Sequence, residues 1–373
     1  MEPGADVAVR ERSARMGSVS ELLLRRGLLL MVAAALLTGV FAGLARMGVV
    51  VAWGPTYVLT HGPLLVLGAF STVIALERAV AFGRAWGLLA PCVGAAAAVA
   101  MLCGAPWAPW VATASAVALV GLNAAIVKRQ AAAFTWLMLL GSAVLLLGDV
   151  VWALGRPVYE VVPTWLAFFV LTIVAERLEL SRLAPTPRWA SVALVALASL
   201  LALLACACAL GFAPPLRVLG VVLALVGAWQ LRFDLARRVL RRPGLPRFAA
   251  LGVLLGAAWL LVAGMLLASL GLPPAGPLYD AELHCVFVGY VLSMVFAHAP
   301  IILPAVARVS VPFTKLLYAP LAVLHLGLVA RVTADLVGDA LMRRAGGIAN
   351  AVALGLFVLV VLYARVPRRG AKR

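Results

Sequence analysis

Charged residues are scarce in this sequence. Only 12% of the 373 residues are Asp, Glu, Lys or Arg, and 65% are hydrophobic, whereas roughly 25% of a soluble domain is charged. This shortage excludes a soluble globular chain. The longest predicted loops, near 232–247 and 271–280, are short, so we expect no separate soluble domain.

Cysteine and histidine are also few, with five and four residues. The cysteines form no C-x-x-C pair and no zinc-like spacing, so we interpret them as small packing residues. Chemistry that needs a metal ligand therefore depends on the histidines. These are His61, His284, His298 and His325.

Apolar runs of about 20 residues, the length that crosses the hydrocarbon layer, occur twelve times. They lie near 28–48, 56–77, 86–104, 107–127, 132–154, 161–177, 189–212, 215–231, 248–271, 281–306, 313–335 and 346–364. The sequence therefore predicts an all-α fold, a polytopic membrane helix bundle with about twelve transmembrane helices. Its predicted parts are a basic cytoplasmic N-terminal segment 1–27, a single transmembrane domain 28–366 and a basic cytoplasmic tail 367–373.

The net charge of +17 would suit a nucleic-acid partner, but its distribution argues against one. With the N-terminus in the cytoplasm, all but six of the 31 basic residues fall in cytoplasmic segments. The six exceptions are Arg46, Arg156, Arg217, Arg331, Arg343 and Arg344. This is the positive-inside pattern of a membrane protein. It predicts cytoplasmic N- and C-termini, and the lipid bilayer rather than nucleic acid as the partner.

The four histidines sort into two pairs by depth. His61 lies early in the second span and His284 early in the tenth, and the predicted topology puts both near the outer face. His298 and His325 each lie ten residues from a basic residue that flanks one inner loop, so each is roughly 15 Å from the cytoplasmic edge. An ionisable group inside a membrane is costly and often functional, although a buried histidine can also be a hydrogen-bonded packing group.

Two histidines on one helix suggest haem ligation. His284 and His298 are fourteen residues apart, which places them on nearly the same face and roughly 21 Å apart. We expect a b-type haem between His61 and His284, with Gly62 and Gly289 leaving room for a flat macrocycle. At His298 and His325, a second haem, a copper ion and no metal at all stay open as alternatives.

Two short motifs carry a resemblance to a known family. His284, Gly289 and Met294 form H-x4-G-x4-M, and His61 with Gly68 forms H-x6-G. Both resemble the corresponding helices of the NnrS family. These bacterial membrane proteins contain haem and copper, are linked to nitric oxide stress and denitrification, and are similar in outline to subunit I of haem–copper oxidases.

The resemblance implies a function and a location. It implies a haem near the outer face held by His61 and His284, a redox partner protein, and a place in the bacterial cytoplasmic (inner) membrane. Pro63 and Leu64 stand where the family's second helix carries a further His and a Glu. A secondary transporter and a haem-handling assembly factor stay open as other functions, and the sequence leaves open whether the protein is an enzyme.

Acidic residues suggest ion pairs at the helix ends. Glu77 and Arg78 close the second span, and Glu176, Arg177 and Glu179 close the sixth. We expect these residues to form ion pairs at the inner boundary. Arg331 and Asp335 are spaced i,i+4 and are predicted either to pair with each other or to face haem carboxylates. Asp149 lies deeper and is a candidate for a proton relay or for packing.

Overall fold

The computed structural model describes residues 3–50, 55–183, 186–212 and 215–365. The predicted tail 367–373 lies outside these residues. The first helix runs without a break from Pro3 to Arg46, so the predicted segment 1–27 continues directly into the first span from Pro3 onward.

Twelve helices in this described part are long and apolar enough to cross a membrane, as the sequence predicts. They are α1 (Val19–Arg46), α2 (Val58–Phe82), α3 (Ala85–Leu102), α4 (Ala108–Arg129), α5 (Ala133–Ala153), α6 (Val158–Ser181), α7 (Arg188–Ala209), α8 (Leu216–Phe233), α9 (Leu245–Leu270), α10 (Pro277–Ala307), α11 (Lys315–Val337) and α12 (Ala340–Ala364). A short helix, Ala236–Val239, lies between α8 and α9. The predicted fold class, a polytopic helical membrane bundle, is confirmed.

The helix α6 lies at the centre of the bundle. Trp165, Phe168 and Phe169 on this helix are fully buried, and α6 contacts α5, α7 and α10. By contrast, α1, α7 and α12 leave most of their residues unburied. The buried aromatic face of α6 therefore forms a rigid wall for the interior of the bundle.

Glycines bring α8 and α9 into close backbone contact. A Cβ atom added to Gly227 of α8 would lie 2.6 Å from the backbone nitrogen of Leu261 on α9. Gly220 and Gly264 face the opposite helix in the same way. Because lipid tails are as apolar as leucine, such close packing of small residues is a main source of helix association in membranes.

Two of the spanning helices contain a π-helical segment. In α2 it covers Leu64–Ser71, and in α10 it covers Cys285–Leu292. Pro63 directly precedes the first segment, and it supplies no backbone N–H for a regular helical hydrogen bond. These segments begin three residues after His61 and directly after His284. Such local widening of a helix is frequent at functional sites.

Candidate functional site

A cavity of about 500 Å³ lies between α1, α2, α6, α10, α11 and α12, near the end of the bundle that is predicted to be outer. His61 and His284 both line this cavity. Its other walls are mostly apolar and include Leu65, Val66, Phe70, Trp165, Phe287 and Val288. Cofactor pockets commonly have volumes of about 300–1,000 Å³ and similarly apolar walls. The cavity therefore has the size and the lining of a cofactor site.

The two imidazole rings lie opposite each other. Their centroids are 6.3 Å apart, and their planes differ by 16°. A metal bound to an imidazole nitrogen at about 2.0–2.1 Å lies about 3.1 Å from the ring centroid. One metal in line between two rings therefore needs centroids about 6.2 Å apart. The observed centroid separation of 6.3 Å matches this distance.

Hydrogen bonds fix one nitrogen of each ring. The Nδ1 atom of His61 is 2.7 Å from the backbone carbonyl oxygen of Gly39, and the Nδ1 atom of His284 is 2.7 Å from that of Asp280. A carbonyl oxygen can only accept, so each Nδ1 must carry the proton and donate it. This tautomer leaves the lone pair on Nε2, as in metal-binding histidines whose other nitrogen is anchored.

The first helix holds His61 in place through two glycines. Gly39 supplies the carbonyl that accepts from His61. A Cβ atom added to Gly43, one turn later, would lie 2.5 Å from Cε1 of the His61 ring. This role was not predicted from the sequence, although the G-x-x-x-G spacing of these residues is a known signal for close helix packing.

The two glycines predicted beside the haem lie in different surroundings. Gly62 lines the cavity, and a Cβ atom added there would have open space around it. Gly289 instead lies against Trp259 of α9, where an added Cβ would be 2.5 Å from the Trp259 side chain. Gly289 therefore differs from the expectation, because its small size serves the packing of α10 on α9.

Charged residues gather at the mouth of the cavity. Arg331 donates to both carboxylate oxygens of Asp280, with distances of 2.7 and 2.8 Å. The predicted pairing of Arg331 with Asp335 is therefore replaced by one with Asp280, and Asp335 lies 3.6 Å from Arg343 instead. Arg46, which is exposed, also lines the cavity. The mouth thus carries the Arg331–Asp280 ion pair together with Arg46, a cation that could meet a carboxylate of a bound group.

A buried carboxyl group lies behind the apolar wall. Asp149 on α5 accepts a hydrogen bond of 2.9 Å from the indole N–H of Trp165, and Trp165 lines the cavity. Asp149 is almost fully buried. Its observed contact is a packing role that fixes the Trp165 ring, one of the two roles that the sequence suggested.

The inner histidines have other partners. The two ring nitrogens of His298 lie 2.8 Å from the carbonyl oxygen of Met294 and 2.9 Å from the guanidinium of Arg177. Those of His325 lie 2.9 Å from the indole nitrogen of Trp259 and 3.1 Å from the hydroxyl of Ser293. Because every ring nitrogen of this pair has a protein partner, a metal would have to displace these contacts.

Ion pairs close the inner ends of α2 and α6. Arg78 lies 2.7 Å from Glu77 and 3.6 Å from Glu176. Ion pairs at this boundary were predicted, and Arg78 forms them both with its neighbour Glu77 and with Glu176 on the adjacent helix. Arg177 instead contacts His298, as described above.

The described residues contain no group of three or more His, Cys, Asp or Glu side chains that could hold a metal ion. A haem needs no such group, because the porphyrin supplies four of the ligands of the iron and the protein supplies at most two. The donor set of the cavity, two imidazoles and apolar walls, thus fits a haem better than a bare metal ion.

Comparison with known proteins gives a family but no activity. The family described as "Domain of unknown function (DUF8744)" matches residues 25–366. Because this match covers most of the chain, the protein belongs to that family. No curated protein matches the sequence.

Proposed function

We propose that this member of a domain family of unknown function is a membrane haem protein that transfers electrons. In this proposal, His61 and His284 would hold the iron of a b-type haem in the cavity that both residues line. The observation that carries the proposal is the 6.3 Å separation of the two nearly parallel imidazole rings. That spacing is what a single metal bound in line to both rings requires.

A haem iron with two imidazole ligands is low-spin and closed to further ligands, which suits it to electron transfer. The protein's own residues prepare the site for such a group. The carbonyls of Gly39 and Asp280 hold both histidines in the tautomer whose Nε2 can bind a metal. Among the described residues, neither Nε2 atom has a hydrogen-bond partner that would compete.

The remaining lining residues would bind the periphery of the group. Leu65, Phe287 and Val288 present apolar side chains that exclude water from a macrocycle. Arg46 at the mouth of the cavity would face a carboxylate of the group, because guanidinium groups match carboxylates in shape and charge. Tyr279 lies at the same mouth.

The proposal includes a location and a metabolic setting. We assign the protein to redox metabolism in the bacterial cytoplasmic membrane, with cytoplasmic termini and a redox protein as its electron partner. The resemblance to the NnrS family implies that this redox metabolism is nitric oxide metabolism or denitrification. The proposal does not extend to copper or a second haem at His298 and His325, because Arg177, Met294, Trp259 and Ser293 occupy their ring nitrogens.

The test is the reduced-minus-oxidised difference spectrum of detergent-purified protein, with haem counted per chain as the pyridine haemochrome. We expect one haem per chain with a low-spin b-type spectrum. His61→Ala and His284→Ala should each abolish that spectrum. His325→Gln is the matched control, since it changes a buried histidine elsewhere, and it should leave the spectrum unchanged.

Two results would favour the other functions. Haem that is present in small amounts and lost on washing would indicate an assembly factor that holds haem transiently. A correctly folded protein without haem, purified from cells with ample haem supply, would overturn the proposal and leave a secondary transporter as the better hypothesis.

A further inference from the structure

A second cavity, of about 550 Å³, opens at the opposite end of the bundle from the cavity of His61 and His284. It lies between the start of α7 and the end of α8, beside the short helix Ala236–Val239. Four of its eight lining residues are arginines. They are Arg232, Arg237, Arg238 and Arg241.

The positive charge of this pocket is largely uncompensated. All four arginines are exposed, and the only acidic residue among the lining residues, Asp234, is buried. The Asp234 carboxylate accepts a hydrogen bond of 2.8 Å from the backbone N–H of Ala236. The pocket therefore suits an anionic ligand.

Aromatic residues indicate how deep in the membrane the pocket lies. Trp189, at the start of α7, is 64% exposed, and its ring packs edge-on against Phe233 with centroids 5.3 Å apart. The guanidinium carbon of Arg232 lies 5.0 Å from the centroid of the Phe233 ring. Exposed tryptophans of membrane proteins concentrate at the boundary between hydrocarbon and water. The arginines therefore lie at the level of the lipid headgroups.

We propose that this arginine pocket binds the phosphate group of an anionic phospholipid. Guanidinium groups bind phosphate through paired hydrogen bonds, and basic pockets between transmembrane helices on the cytoplasmic side are typical sites for anionic headgroups. A free phosphate ion has the same binding chemistry. The position of the pocket beside Trp189 and Phe233 favours the lipid, whose acyl chains would run along the apolar surface of α7 and α8.

The test measures lipid binding to the full chain in detergent by native mass spectrometry, with phosphatidylglycerol as the probe and phosphatidylcholine as the neutral comparison. The variant Arg237→Gln/Arg238→Gln/Arg241→Gln removes three charges from the pocket. Each arginine near the membrane surface contributes about fivefold to such binding, so we expect about a hundredfold weaker binding of phosphatidylglycerol. The double variant Arg238→Gln/Arg241→Gln keeps the bond from Arg237 to the carbonyl of Arg232 and should lose about 25-fold.

The control is Arg242→Gln, which removes an exposed arginine of the same loop that does not line the pocket. It should bind phosphatidylglycerol as the unmodified chain does. Equal loss in this control, or unchanged binding in the triple variant, would overturn the proposal. Displacement of phosphatidylglycerol by an equal concentration of inorganic phosphate would also overturn it, since the pocket would then be a site for a soluble anion.

Discussion

Asp280 connects Arg331 to the histidine cavity. Its carboxylate accepts two hydrogen bonds from the Arg331 guanidinium on α11, and its backbone carbonyl accepts one from Nδ1 of His284, one turn later on α10. Its carboxylate also lies 3.4 Å from the same Nδ1 atom. A single residue thus fixes the orientation of His284 and places a balanced pair of opposite charges beside it.

This ion pair yields the first prediction, which concerns the midpoint potential of the proposed haem. Arg331→Gln leaves the negative charge of Asp280 alone and should lower the potential, because reduction adds an electron. Asp280→Asn leaves the positive charge of Arg331 alone and should raise it. Both shifts should be on the order of tens of millivolts, as expected for one unit charge near a partly buried site. Spectroelectrochemical titration measures them, and shifts of the same sign in both variants would contradict this account.

The second prediction concerns topology. The distribution of basic residues predicts that both termini lie in the cytoplasm. An even number of spans is needed for this, and the described chain has twelve helices that could cross the membrane. Reporter fusions in the loop near 182–188 should therefore read cytoplasmic, and fusions near 273–279 should read outside. The opposite readings would put the histidine cavity on the cytoplasmic side and the arginine pocket on the outer side.

Depth in the membrane could be predicted from the sequence, because it follows from counting residues along a helix. This is why the twelve spans and the shared level of His61 and His284 were found without a structure. The direction in which a residue faces depends on the helices around it. Gly289 therefore turned out to face Trp259, and the inner histidines have partners on helices that no spacing rule connects to them.

Other features escaped prediction because they depend on tertiary contacts. Asp280 and Arg331 are 51 residues apart, so the local i,i+4 rule selected the wrong partner, Asp335. The π-helical segments after His61 and His284 have no clear sequence signal apart from Pro63. The G-x-x-x-G spacing of Gly39 and Gly43 was visible, but nothing in the sequence indicated that His61 would be the residue it holds.

The third prediction concerns Asp234 and pH. Burial raises the pKa of this carboxyl group above its ordinary value of 3.8, so the folded chain holds the proton more tightly than the unfolded chain. Its contribution to stability is therefore largest below pH 3.8 and decreases as the pH rises, until the folded-state group has also ionised. The variant Asp234→Asn keeps an oxygen that can accept the hydrogen bond from the N–H of Ala236, but it removes the negative charge.

The variant should consequently melt at a higher temperature than the unmodified protein at neutral pH. The difference should shrink as the pH falls toward 3.8, the ordinary value of this carboxyl group. Thermal unfolding in detergent across the pH range measures the effect, with Glu179→Gln as a control at an exposed acidic residue. A difference that is constant with pH would contradict the role assigned to burial.

The fourth prediction tests how α1 supports His61. In Gly43→Ala, the new methyl group would lie 2.5 Å from Cε1 and 2.8 Å from Nδ1 of the His61 ring, so the ring must move away from the carbonyl of Gly39. We expect the purified variant to lose most of its low-spin haem.

Gly121→Ala is the matched control, because it makes the same change in a helix where nothing lies within 4 Å of the added atom. Alanine is favoured over glycine within a helix by about 1 kcal/mol, so the control should keep its haem and be no less stable. Full haem content in Gly43→Ala would show that His61 is not held by this contact.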